Sequence, residues 1–130
     1  MDLAVSKDFH VKDGKFQLLD LGVSMKLPKW YGAMVIPRSS TCKNWGLIQA
    51  NSVGLVDNSY CGESDVWQFP AIPRFDITIP KNTRLCQFTI VLNRNAPWYI
   101  KILDLFTTFK FKEVDVLTDV SRNGFGSTGL

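Results

Sequence analysis

The residues in this chain whose types and spacing could do chemistry fall in five short stretches. The most distinctive is residues 54–63, Gly-Leu-Val-Asp-Asn-Ser-Tyr-Cys-Gly-Glu. Asn58 and Ser59 are turn formers, while Leu55 and Val56 are strand-like, so the stretch reads as a tight turn between two short strands. Asp57 enters the turn and Tyr60 leaves it, which puts a carboxylate and an aromatic ring against one small space. An aspartate is ionised at neutral pH and can accept a proton from water without further activation. Taken alone, the same residues make a surface turn in which Asp57 caps its own backbone.

The other four stretches are Met1-Asp2-Leu3-Ala4, Pro37-Arg38-Ser39-Ser40, Arg84-Leu85-Cys86-Gln87 and Arg122-Asn123-Gly124-Phe125-Gly126-Ser127-Thr128-Gly129. Arg38 offers a fixed fork of donors that matches phosphate oxygens, and Ser39 adds a hydroxyl and an amide. The bland role for Arg38 is a surface ion pair. Gln87 alternates off the core face of its strand and can reach a phosphate chain. The glycines of the last stretch free the backbone to close over phosphates. It is not a Walker A loop, because no Gly-Lys-Ser/Thr follows. Asn51, in Gln49-Ala50-Asn51-Ser52-Val53-Gly54, carries both a donor and an acceptor on one side chain.

These residues must be positioned by one domain, since the chain has 130 residues. Its formal charge of +3 suits an anionic small ligand, and no Lys/Arg run calls for nucleic acid. Cys42, Cys61 and Cys86 are odd in number and widely spaced, with no CxxC pair, so zinc is unsupported and reduced thiols in a cytoplasmic protein are expected. Asp2, Lys7 and Asp8 leave no room for a secretory apolar region, and no apolar run spans a membrane. His10 is the one histidine, and no Gly-x-Ser-x-Gly elbow surrounds any serine, so a Ser-His-Asp hydrolase is disfavoured.

Strand signals dominate. Val23, Met25 and Leu27 alternate with polar residues, as do Phe75, Ile77 and Ile79, then Cys86, Phe88 and Ile90, then Phe109 and Phe111, with Val114 and Val116 following. Several short strands at this spacing predict a sandwich, jelly roll or barrel. Residues 67–73 are apolar and hold two prolines, which predicts core plus an edge strand. Residues 97–109 fit either a short helix, with Ile102, Leu103 and Phe106 on one face, or an extra hairpin. Their apolar side chains are expected to pack on the barrel or against another chain.

All five stretches, in this order and over essentially the whole chain, resemble the motifs of the homotrimeric dUTPases (deoxyuridine triphosphate nucleotidohydrolases). Residues 54–62 are similar to the family pattern Gly-x-Ile/Val-Asp-x-Asp-Tyr-x-Gly, with Ser59 in place of the second aspartate. The resemblance implies an all-β, single-domain jelly-roll or barrel-like fold over residues 1–120. It also implies a Gly-rich C-terminal arm, residues 121–130, that closes over the active site. The implied reaction is hydrolysis of dUTP to dUMP and pyrophosphate, with Asp57 as the base for water attacking the α-phosphorus and Arg38 and Gln87 beside it. Ser39 and Ser40 are implied to hold the phosphate chain, Ser40 standing where glycine is usual. Asn51, with the backbone of Gly54, Leu55 and Val56, is implied to read uracil, while Tyr60 packs under the deoxyribose. From the arm, Phe125 is implied to stack on the base, and Arg122, Gly126, Ser127 and Thr128 to contact the phosphates. Mg2+ is implied to be bound mainly through the triphosphate, with Asp2 reaching it through water. The implied assembly is a homotrimer with shared active sites and no nucleic-acid or membrane partner. Two rivals share the fold: a dCTP deaminase-like enzyme, and a non-catalytic dUTP-sensing regulator.

Overall fold

Alternating apolar and polar residues put one face of a strand in the core and the other outside, and such runs form the framework of this protein. The computed structural model describes residues 1–117. In chain order the described elements are β1 (Asp2–Ala4), β2 (Phe9–Val11), β3 (Gln17–Asp20), β4 (Tyr31–Pro37), α1 (Thr41–Trp45), β5 (Leu47–Gln49), β6 (Gly54–Val56), β7 (Gln68–Pro73), β8 (Ile77–Ile79), β9 (Arg84–Leu92) and α2 (Trp98–Asp104). They pair antiparallel into a four-stranded sheet of order β1-β9-β4-β6, a three-stranded sheet β3-β7-β5 and a two-stranded sheet β2-β8. The sheets enclose Trp67, Phe69, Leu19, Leu47, Ile79 and Leu85, all fully buried. Each such side chain contributes about 1.5–3 kcal/mol on leaving water. The architecture is the expected all-β jelly roll.

Alternation located β8 and β9 well. Ile79, Cys86 and Phe88 are buried, and β9 pairs along most of its length with β4, from Tyr31↔Leu92 to Pro37↔Cys86. The first residue is fastened too: the Met1 ammonium donates to Phe88 O at 2.9 Å, and Phe88 N donates to Met1 O at 2.8 Å.

Four expectations need correction. The stretch at residues 54–63 is not a hairpin of two strands. Its first half is β6, which pairs with β4 (Ala33↔Val56, Val35↔Gly54), and its second half is a loop without a ladder. β7 is central between β3 and β5, not an edge strand. Its prolines lack a donor but keep their acceptors, and Ala50 N donates to Pro70 O at 2.8 Å while Gly14 N donates to Pro73 O at 2.9 Å. Val23, Met25 and Leu27 do turn toward the core, yet they form no strand. Nor do residues 109–116: Phe109 meets Tyr31 edge-on at 4.9 Å, and Phe111 meets Phe88 at 5.7 Å, but Val114 and Val116 stay exposed.

The choice left open for residues 97–109 resolves as the helix α2. No residue of α2 is buried; Trp98, Tyr99, Ile102 and Leu103 are each at least half exposed. They do not pack on the barrel within the described chain.

Two close approaches in the large sheet carry consequences. A Cβ on Gly32 would lie 2.9 Å from Val56 O and 3.8 Å from Asp57 Cα, so only glycine lets β6 deliver Asp57 beside β4. Cys86, fully buried opposite Leu3 and Pro37, has its thiol pushed up to about 12 by burial and, secondarily, by the Asp2 carboxylate.

Gly32→Ala is expected to force a backbone shift costing about 1–3 kcal/mol, read as a lowered melting temperature together with reduced activity. Unchanged values for both would contradict the contact. Under native conditions a thiol reagent is expected to label exposed Cys42 and spare buried Cys61 and Cys86 until the protein unfolds. The Cys86 thiol ionises near 9 when unfolded and near 12 when folded. Its stabilising contribution is therefore complete below pH 9 and lost as pH rises toward 12. The melting temperature of the native protein should then fall more steeply over that range than that of Cys86→Ala.

Candidate active site

Two groups of residues gather along β4. At its C-terminal end, Pro37 closes the ladder and the chain turns. Arg38 N donates to Leu85 O at 3.0 Å, Thr41 N donates to Arg38 O at 3.0 Å, and the buried Thr41 hydroxyl donates to the same Leu85 carbonyl. This turn presents Arg38 and Ser39, while Ser40 begins α1, its carbonyl accepting from Asn44 N at 2.8 Å. Across the sheet, Asp2 pairs with Gln87, and Gln87 with Ile36. Asp2 Oδ2 lies 3.3 Å from Arg38 Nε and 3.3 Å from Arg84 Nη1. Asp2, Arg38 and Gln87 are thus brought to one part of the sheet, with Ser39 in the adjoining turn. The ion pairs are solvent-accessible and contribute little stability, at most about 1 kcal/mol each. What they set is the direction of the Arg38 fork.

Alongside β4, from Val35 back toward Ala33, β6 and the loop after it build a cavity of about 250 Å³ lined by Val35, Gln49, Asn51, Gly54, Leu55, Val56, Tyr60, Trp67, Gln68 and Pro70. All five residues that the sequence proposed for reading a base and its sugar, Asn51, Gly54, Leu55, Val56 and Tyr60, are therefore in one wall. Asp57 lies between Val56 and Tyr60 in sequence but is not itself one of the lining residues. Its Oδ1 accepts from Ser59 N at 2.8 Å and from the Ser59 hydroxyl, and its carbonyl accepts from Tyr60 N at 3.2 Å. The side chain caps its own turn, and the turn holds the carboxylate in one direction. Tyr60 Oη donates to Val66 O at 3.1 Å, which fixes the ring. Beneath it, fully buried Asp65 accepts from Gly62 N at 2.9 Å and ties the loop together.

The sequence reading missed Gln49, Trp67 and Asp65. Gln49 carried a signal: Leu47 and Gln49 share the inward face of β5, and a polar residue in an inward position needs partners. Gln49 Oε1 and Trp67 Nε1 are buried without a partner among the described residues, and each such group costs about 1–3 kcal/mol. Arg122, Phe125, Gly126, Ser127 and Thr128 lie outside the described residues.

Asp57 and Arg38 are far apart. Asp57 stands beside Gly32, and Arg38 follows the last residue of β4, six positions on, about 20 Å at 3.4 Å per residue.

Known proteins are similar to this chain in sequence and in fold. A family model of the dUTPases covers residues 1–129. The SPbeta prophage-derived deoxyuridine 5'-triphosphate nucleotidohydrolase YosS of Bacillus subtilis (strain 168) is 45% identical over 129 residues, 99% of this chain and 82% of its own length. The crystal structure of dUTPase from Streptococcus mutans superposes with a TM-score of 0.64 at 21% identity, over 74% of this chain and 79% of that one. A mutant dUTPase from phage phi11 of S. aureus, for which coordination of a structural Mg(II) ion is described, gives 0.61 at 14% identity over 88% of this chain and 81% of that one. The chain belongs to the dUTPase family, whose members are nucleotidohydrolases acting on deoxyuridine 5'-triphosphate.

Proposed function

We propose that the protein hydrolyses dUTP to dUMP and pyrophosphate, with Asp57 taking a proton from the water that attacks the α-phosphorus. The observation that carries this reading is the cavity whose wall runs through Val56 and Tyr60 on either side of Asp57. At about 250 Å³ it is smaller than the roughly 300–1,000 Å³ of pockets that enclose whole drug-sized ligands. It suits a base and its sugar, with the triphosphate leaving past Asp57. Asn51 and the Gly54–Val56 backbone then read the base, and the fixed Tyr60 ring lies under the deoxyribose. As water oxygen bonds to the α-phosphorus, its proton passes to the Asp57 carboxylate and pyrophosphate departs with the electrons of the broken P–O bond. Little covalent work falls to the protein, so positioning and charge stabilisation provide most of the rate.

Arg38, Ser39, Ser40 and Gln87 hold the phosphates. The separation of about 20 Å along β4 is too great for Arg38 and Asp57 of one chain to act on neighbouring atoms of one triphosphate. This favours a homotrimer with shared sites, in which base pocket and phosphate contacts come from different chains. Residues 121–130 supply the third part, with Phe125 over the base and Arg122, Gly126, Ser127 and Thr128 on the phosphates. Asp2 is already shared by two guanidinium groups, and among the described residues no three His, Cys, Asp or Glu side chains gather as a metal cage. That donor set fits an ion carried mainly by the triphosphate, with Asp2 reaching it through water. Mg2+ bound in this way neutralises charge on the phosphates.

Pyrophosphate release from dUTP, without ammonia release from dCTP, is the expected result in paired assays, and the reverse would assign a deaminase. Asp57→Asn keeps the shape but removes proton acceptance; it should lower kcat by at least about 10²-fold while a non-hydrolysable dUTP analogue still binds. Wild-type turnover would remove Asp57 from the mechanism. Chains lacking residues 122–130, mixed with Asp57→Asn chains, should regain activity that neither has alone. Mixed trimers without recovered activity would mean that each site is built within one chain.

A further inference from the structure

We propose that Gln49 sets the base specificity of this site through Asn51, as a positioning residue that fixes which end of the Asn51 amide meets the base. The inference rests on the reading that the cavity takes the base and Asn51 contacts it.

Gln49 is 5% exposed and lines the cavity. Its Nε2 donates to Val35 O at 3.1 Å and to Asn51 Oδ1 at 2.9 Å. A backbone carbonyl can only accept, so the Gln49 atom facing Val35 O must be the amide nitrogen. The same nitrogen faces Asn51, and it can only donate, so the Asn51 atom facing it must be the oxygen. Neither amide can reverse alone. A reversed Gln49 would aim Oε1 at the lone pairs of Val35 O and Asn51 Oδ1, and a reversed Asn51 would set two N–H groups against each other. The arrangement holds even though Gln49 Oε1 is left buried without a partner among the described residues.

The backbone is shaped for this contact. Ser52 has φ +58°, and Ser52 N donates to Gln49 O at 3.1 Å, closing the turn that folds Asn51 back over the Gln49 side chain. A Cβ on Gly54 would stand a tight 3.3 Å from Val35 Cβ and in ordinary contact, 3.6 Å, with Gln49 Nε2, so the amide packs directly against the start of β6.

Asn51 lines the cavity, and with its oxygen committed to Gln49 the group it has left for a base is Nδ2, a donor only. A base must answer it with an acceptor. The 4-oxo group of uracil does so; the 4-amino group of cytosine meets it donor to donor. Rejection is strong at such a point because the mismatch leaves buried polar groups unpaired.

The test compares kcat/KM for dUTP and dCTP, and Kd for their non-hydrolysable imido analogues, in the full chain. Gln49→Leu removes both hydrogen bonds and frees the Asn51 amide to turn. The dUTP-to-dCTP preference should fall about tenfold or more, by a gain on dCTP as well as a loss on dUTP. Asn51→Ala should collapse the same preference, and the double variant should match Asn51→Ala, since Gln49 acts only through that residue. Gln49→Met, of similar length and without the amide, gives the same readout should the leucine variant not fold. An equal loss on both nucleotides in the Gln49 variants, with the preference intact while Asn51→Ala collapses it, would reduce Gln49 to packing and overturn the proposal. If Asn51→Ala itself left the preference intact, the reading of Asn51 as the base contact would be the part that failed.

Discussion

The structure depends on the double pairing of β4. β9 covers one edge of this strand and β6 the other, so one straight run of seven residues fixes the place of Asp57 at its start and Arg38 beyond its end. Strand geometry is stiff at about 3.4 Å per residue, and no side chain rearrangement shortens it. The proposed site, which uses both residues, would therefore draw them from two copies of the chain. In that proposal sharing follows from the sheet. Gly32 belongs to the same constraint, since the missing side chain is what admits Val56 O against β4.

The base cavity obeys a different rule. Its wall is a short strand followed by a loop with no ladder, so the backbone polar groups there are satisfied locally. Asp57 binds Ser59, Tyr60 binds Val66, and Asp65 binds Gly62. Each bond is short in sequence and makes the loop a rigid unit seated on a buried carboxylate. Rigidity matters because a catalytic group held in place pays its ordering entropy on folding rather than at each turnover.

Much of this was legible in the residues. Cys86, Phe88 and Ile90 announced β9 because one face is apolar and the other is not. Asp57 and Tyr60 stood out because turn formers and glycines surround them, and the resemblance to the dUTPases implied their roles and that of Asn51. Legibility failed where the partner lay far away in sequence. The prolines of β7 suggested an edge, yet their carbonyls accept from Ala50 and Gly14, which no local pattern shows. Phe109, Phe111, Val114 and Val116 alternate like a strand, but alternation says only that one face meets something apolar; Phe111 finds Phe88 without any ladder. Gln49 was passed over because a glutamine is ordinarily a surface residue, and its meaning appears only with Val35 O and Asn51 Oδ1 beside it.

Of the two sequence readings of Asp57, the cap on its own turn is what the structure shows, and the proposed base is compatible with it. Ser59 donates both its backbone N–H and its hydroxyl to the same oxygen, Oδ1. A carboxylate at that position, the usual family residue, has no hydroxyl proton to give and would bring a like charge to the turn. Serine instead makes the turn and the orientation of Asp57 a single structure. The residue that departs most visibly from the family pattern is therefore the one that anchors the proposed base. Its effect is on direction: with Oδ1 held by both Ser59 donors, a turn of three residues orients the carboxylate, and the proposed chemistry would start from that geometry.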